Sequence, residues 1–170
     1  MTLSISPGPV TVAAAGAPGV LSNADRDAIV GTVRTYVTDA TIDPLLGKRV
    51  GNLSAVFAPA ALAGTTGVNA AVLTDAGMPK ASKITATAQP ISITALSDPA
   101  RAIGLVGAPL NLQVSARTKK GLVQVHRVGE LALVREGGSW RIMGFRLAVS
   151  RAGADIGTTV PSTSASGGAR

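Results

Sequence analysis

The basic side chains are where residue type and spacing most directly imply chemistry. Arg117, Lys119 and Lys120 crowd one predicted hairpin, and Arg135 and Arg141 flank the next, at the opposite end of the shared strand. Guanidinium and ammonium groups gathered in this way suit phosphate or another anion. Arg127 and Arg146 lie on the same stretch of chain. No aromatic rings alternate with these cations. That argues against single-stranded nucleic acid, whose bases need stacking platforms.

Other reactive groups are few. The chain has no cysteine, which excludes disulfides, thiolate metal sites and a thiol nucleophile. Its one histidine, His126, excludes a multi-histidine metal site within one chain, so neither metal nor cofactor is expected. Gly47-Lys48-Arg49 lacks the upstream glycine of a phosphate-binding loop. Dinucleotide fingerprints, zinc-protease motifs and a serine nucleophile elbow are also missing. Asn52-Leu53-Ser54 fits the glycosylation triplet, a pattern frequent by chance.

The 170 residues suffice for one domain with a core of its own. Aromatics make up only 2% of the chain, so that core must be built from Val, Ile, Leu and Ala. Charge is uneven. Residues 1–77 carry four basic and five acidic groups, whereas residues 78–170 carry twelve and four. A basic half of this kind suits anionic lipid or polymer.

Residues 1–24 carry no charged side chain and are interrupted by proline and glycine. They lack the basic start and unbroken apolar stretch of a secretory signal. The uncharged run Val50–Thr74 is long enough to span a bilayer, but its glycines, Pro59 and polar residues predict short buried helices and turns. The chain therefore reads as soluble, with its compartment open. Residues 1–20 read as a flexible arm, 21–151 as the domain, and 152–170 as a disordered tail rich in Gly, Ser and Thr.

Within the domain a helix starts at Ser22, which can cap it, with Asp25 and Asp27 at the positive end of the helix dipole. Ile29, Val33, Tyr36, Val37 and Ala40 form its apolar stripe, and Asp43-Pro44 is expected to end it. A second short helix is predicted around Val50–Phe57, and Val68–Thr74 fits helix or strand. From Lys83 the period becomes two. Ile84, Ala86 and Ala88 are followed by Ile91, Ile93 and Ala95 with the parity flipped at Gln89-Pro90, where a bulge or kink is expected. Leu110 to Ala116 alternate, Thr118–Gly121 turns, and Val123, Val125, Leu131 and Leu133 face inward. After the turn Glu136–Ser139, the last strand changes parity near Gly144. Helices followed by a long antiparallel meander make an α+β fold, a helix held in a strongly bent sheet.

This order, with Val56-Phe57-Ala58-Pro59-Ala60-Ala61-Leu62 after the long helix and Gly138-Ser139-Trp140-Arg141-Ile142 near the end, resembles the nuclear transport factor 2-like superfamily over Ala24 to Val149. It is also similar to extracytoplasmic domains of that superfamily in actinobacterial envelope proteins. The resemblance implies a cystatin-like cone with a pocket near Tyr36, Phe57, Trp140 and Phe145. It also implies a homodimer surface on the outer sheet face, at Asn111, Gln113, Ser115, Gln124 and His126.

Catalytic members of the superfamily place an Asp, His or Tyr in the cone as general acid or base. The candidates here are Tyr36, Asp39, Asp43 and His126. Each has a plainer reading. Tyr36 sits on the core stripe with its hydroxyl near the rim. Asp39 flanks that stripe. Asp43 marks the helix end, and His126 has outward parity. Arg127, on the apolar face, must pair with a helix carboxylate or mark a bulge that turns it outward. Trp140 reads as a plug beside its hairpin. The leading expectation is a non-enzymatic accessory domain that binds a partner protein or small apolar ligand, as a homodimer. The alternatives are a SnoaL-like cyclase, isomerase or dehydratase, and a basic envelope or secretion-complex module on anionic lipid or polymer.

Overall fold

The computed structural model describes residues 1–153, residue 156 and the backbone of residues 162–165. Helix α1 (Asn23–Val37) begins where Ser22 accepts the Asp25 N–H. Ile29, Val33, Tyr36 and Val37 are buried along one side of it. Each large apolar side chain removed from water in this way contributes about 1.5–3 kcal/mol.

The helix does not stop at Asp43-Pro44. A π-helical turn (Thr38–Ile42) leads straight into α2 (Asp43–Leu45), with Pro44 in its first turn. The wider turn explains how. The Asp43 N–H reaches back five residues to the Thr38 carbonyl, and the proline falls where the ladder has already shifted. Pro44 has no N–H for the Ala40 carbonyl, and the Asp75 N–H takes its place at 2.8 Å.

Beyond α2 the expected second helix shrinks to a 3₁₀ turn at Leu53–Ala55, and Phe57 instead bridges to Ile142. Helix α3 (Pro59–Leu62) follows. The stretch that fitted helix or strand is helical, as a 3₁₀ turn (Gly67–Asn69) and α4 (Ala70–Leu73).

Among the described residues, the rest is one eight-stranded sheet. Its strands are β1 (Thr2–Ser4), β2 (Pro7–Ala14), β3 (Ala81–Ala88), β4 (Ile91–Ser97), β5 (Ile103–Thr118), β6 (Leu122–Glu136), β7 (Ser139–Gly153) and β8 (Ser162–Ala165). β5, β6 and β7 form an antiparallel meander through the two expected hairpins. The other edge of β5 pairs with β3 towards its end and with β4 towards its start, so the break at Gln89-Pro90 splits one long partner in two. The parity change near Gly144 is a bulge at Met143: Ala132 pairs with Gly144, and Leu133 with Ile142.

Two expectations about the termini are corrected. Residues 1–20 are not a flexible arm, because β1 pairs in parallel with β3 and β2 with β4. Ile5 is buried between them, and Arg34 donates to its carbonyl at 2.9 Å. Pro7 and Pro9 are tolerated because β2 is an edge strand, where a missing N–H disrupts no central ladder. At the other end, Ala152 and Gly153 continue β7, and β8 pairs with Phe145–Ala148. Ile156 is partly buried against the core, and the rest of the expected disordered tail lies outside the described residues.

The helices lie over the apolar face of the sheet. Ile84, Ala86, Leu112, Val125, Leu131, Leu147 and the α1 stripe share one core. Thr32 of α1 donates to the Trp140 carbonyl at 3.0 Å, and the Trp140 indole donates to Asp25 at 3.0 Å. The start of α1 is thereby fastened to the β6–β7 hairpin. Among the described residues, no helix is long and apolar enough to cross a membrane.

Candidate functional site

The acid–base candidates are distributed on both sides of the sheet. Tyr36 is fully buried rather than at a rim, and its hydroxyl donates to the Leu73 carbonyl at 2.9 Å. Burial raises its pKa above the ordinary tyrosine value. Its ring meets Phe57 edge-on at 5.8 Å, and Phe57 meets Phe145 edge-on at 6.1 Å. Trp140, the fourth aromatic of the expected pocket, is buried and bonded to Asp25.

Asp39 lies in the π-helical turn and is half-buried, with Gly51 packed against it; a Cβ at position 51 would come within 2.4 Å of the Asp39 carboxyl carbon. Burial, helped by the charge of Asp43 one turn on, holds the Asp39 pKa above the usual aspartate value. Asp43 itself pairs with Lys48 at 2.8 Å. His126 is exposed on the outer face, where its Nε2 sits 2.9 Å from Asn111 Oδ1.

That outer face is a grid set by register. Gln113, His126 and Ser150 form one row across β5, β6 and β7. Ser115, Gln124 and Ala152 form the next, and Asn111, Val128 and Ala148 a third. The first two rows line a shallow concavity of about 280 Å³. The five residues expected at an interface therefore do lie on one continuous face, among small neighbours.

The basic residues separate instead of converging. Arg117, Lys119 and Lys120 stand at the β5–β6 turn. Arg135 and Arg141 stand at the opposite end, where Arg135 pairs with Asp25 at 3.4 Å and Arg141 donates to the Ser54 carbonyl. Lys80 and Lys83 join the first group through the start of β3, whose register sets Lys83 beside Arg117.

Of the two alternatives open for Arg127, the structure takes the carboxylate partner, in a buried polar cluster whose other members, Asp75 and Arg151, the sequence reading did not single out. Arg127 is fully buried and points inward from β6. Its Nη2 donates to Asp75 Oδ2 at 2.9 Å, its Nε to the Val72 carbonyl at 3.1 Å and its Nη1 to the Thr41 hydroxyl. Arg151, inward from β7, donates from Nε to Asp75 Oδ1 at 2.7 Å and from Nη2 to the carbonyls of Ala71 and Thr74, each at 2.8 Å. With Tyr36 on Leu73, four successive carbonyls, 71 to 74, each accept a side-chain donor.

A helix leaves its last carbonyls without partners and carries partial negative charge at that end. Two guanidiniums against one carboxylate would leave an uncompensated buried charge; the carbonyls at the end of α4 offset it. Burial alone would raise the pKa of Asp75, but the charges of Arg127 and Arg151 more than reverse that and hold it below the usual aspartate value. Burial likewise opposes the charge on Arg127, and Asp75 restores it and raises its pKa. The cluster is a tie between helix and sheet. The signals for it were modest: Arg151 continues the inward parity of Phe145, Leu147 and Val149, and Asp75 is the one acidic residue between Asp43 and Asp98.

The fold is thus α+β, with one long helical segment against a large, mostly antiparallel sheet. Compared with known proteins, the chain matches no family model, no curated protein and no solved structure.

Proposed function

We propose that this chain is a non-catalytic binding module of the nuclear transport factor 2-like type that pairs with a second copy of itself through the outer face of β5, β6 and β7. The observation that carries the reading is the fate of the acid–base candidates. The Tyr36 hydroxyl is engaged by Leu73 inside the core, while His126 is engaged by Asn111 outside it, with the sheet between them. General acid–base catalysis needs such groups within hydrogen-bond reach of one reacting atom.

The outer face supports the second half of the proposal. Its central rows contain no Asp, Glu, Lys or Arg and are built from Ser, Ala, Asn and Gln with His126 and Val128. A face without strong charge of either sign can meet its own copy across a two-fold axis, where residue i meets j and j meets i and residues at the axis meet their own mates, so a face of one charge sign would set like charges together. Light scattering coupled to size exclusion is expected to give twice the chain mass at micromolar concentration. Ser150→Arg, which places a cation on the exposed face of each copy, is expected to shift the protein to monomer with its circular dichroism unchanged. A wild-type protein that remains monomeric at high concentration overturns the dimer.

A further inference from the structure

Five cations gather at the end of the sheet where β3 begins and β5 turns into β6: Lys80, Lys83, Arg117, Lys119 and Lys120. The register sets Lys83 directly opposite Arg117, and both are exposed. Like charges facing one another across a ladder destabilise it, so folding alone gives no reason for the pair. Beside them a groove of about 690 Å³ runs between the β3 start and the β5–β6 turn. Pro79, Ala81, Thr118 and the stems of the lysines contribute to its lining, and no acidic side chain is among its described lining residues. Leu122, next to the turn, is 50% exposed, and Met78 is partly buried alongside the core. The opposite end of the sheet differs: Arg135 there faces Asp25.

We propose that this end of the sheet docks on an anionic bilayer surface. The two chemistries present, a set of cations and an apolar groove with a neighbouring exposed leucine, match an amphiphile with a negative headgroup. A soluble phosphate would use the cations and leave the groove and Leu122 unused. Arg117 and Leu122 form the row next to Ser115 and Gln124, at the margin of the face proposed to pair with a second copy; vesicle binding and oligomeric state are read by separate measurements, so each proposal can fail without the other.

The experiment is co-sedimentation of the full chain with vesicles. Binding is expected to vesicles of phosphatidylglycerol mixed with phosphatidylcholine and not to phosphatidylcholine alone. It is expected to be lost as sodium chloride is raised from ~0.1 M to ~1 M, because the screening length shortens. Lys80→Gln with Lys119→Gln is expected to weaken binding about thirty-fold, the effect of two cations near a charged surface. Arg135→Gln with Arg141→Gln removes the same charge from the opposite end and is expected to change binding less than about twofold. All four side chains are on or near the surface, and unchanged circular dichroism checks the fold. Equal losses from the two double variants would reduce the effect to net charge and overturn the site. Release from the vesicles by inorganic phosphate at constant ionic strength would show a soluble-anion site and overturn the bilayer assignment. Absence of binding to the anionic vesicles would overturn the proposal outright.

Discussion

The Asp75 N–H donates at 2.8 Å to the Ala40 carbonyl, the carbonyl that Pro44 leaves without its helical donor. The backbone of Asp75 thereby repairs the long helix while its carboxylate joins β6 and β7 through Arg127 and Arg151. One residue connects a helix defect to the sheet, so its substitution should be felt in both.

Asp75→Asn is expected to destabilise the fold by about 3–5 kcal/mol, because it leaves two buried guanidiniums facing a neutral amide. Arg127→Met is expected to cost less, since Asp75 and Arg151 still balance one another and the methionine fills much of the volume. Urea unfolding of the two variants checks the order. A smaller loss for Asp75→Asn than for Arg127→Met would contradict the charge balance described above.

The same carboxylate sets an acid limb. The folded-state pKa of Asp75 lies below the ordinary 3.8, so the unfolded chain takes up its proton first as pH falls. Its contribution is fully present above pH ~4 and is lost as pH falls through the folded-state value. Stability measured against pH should therefore decline below ~4 in the wild type. The decline should be shallower in Asp75→Asn.

Asp39 has the opposite sign. Burial, and the neighbouring charge of Asp43, raise its folded-state pKa above 3.8, so folding favours the protonated form. Ionisation of Asp39 costs stability as pH rises through that window, and the cost persists at neutral pH. Asp39→Asn is expected to raise the melting temperature at pH 7 and to have no such effect below the ordinary aspartate pKa. Thermal unfolding at the two pH values tests this, and a lowered melting temperature at pH 7 would count against it.

Gly129 has no tolerated replacement. It sits in β6 at φ +150°, and a Cβ there would lie 1.9 Å from the Arg146 carbonyl oxygen. Relief would require β6 and β7 to move apart in the middle of the meander. Gly129→Ala is expected to cost about 3 kcal/mol or more, read from denaturant unfolding. Gly31→Ala in α1, where an added Cβ meets nothing within 4 Å, is expected to be neutral or stabilising by up to about 1 kcal/mol.

Much of the fold is local and was legible for that reason. Ser22 with Asp25 specifies a helix start, and the alternation Leu110–Ala116 specifies which face of β5 is buried. The glycines at 137 and 138, with φ of +57° and +80°, specify a tight hairpin. Each of these depends on residues a few positions apart. The parallel edge was not legible: β2 meets β4 some eighty positions away, and its prolines and glycines carry the marks of a loop. The π-helical turn was hidden because the carbonyl freed by Pro44 finds its donor at Asp75.

The sites divide in the same way. By itself the sequence determined that thiol chemistry and a multi-histidine metal centre are excluded, that His126 has outward parity, and that Arg127, on the apolar parity, needs either a carboxylate partner or a bulge that turns it outward, because composition and strand parity are properties of the chain alone. Only the tertiary structure decided that Arg127 stays inward with Asp75 as its partner, and that Lys80 and Lys83 join Arg117 at one end of the sheet. The physical reason is that hydrogen bonds and ion pairs act over a few ångströms in space. Which charges come within that range is set by strand register across the sheet, not by their order along the chain.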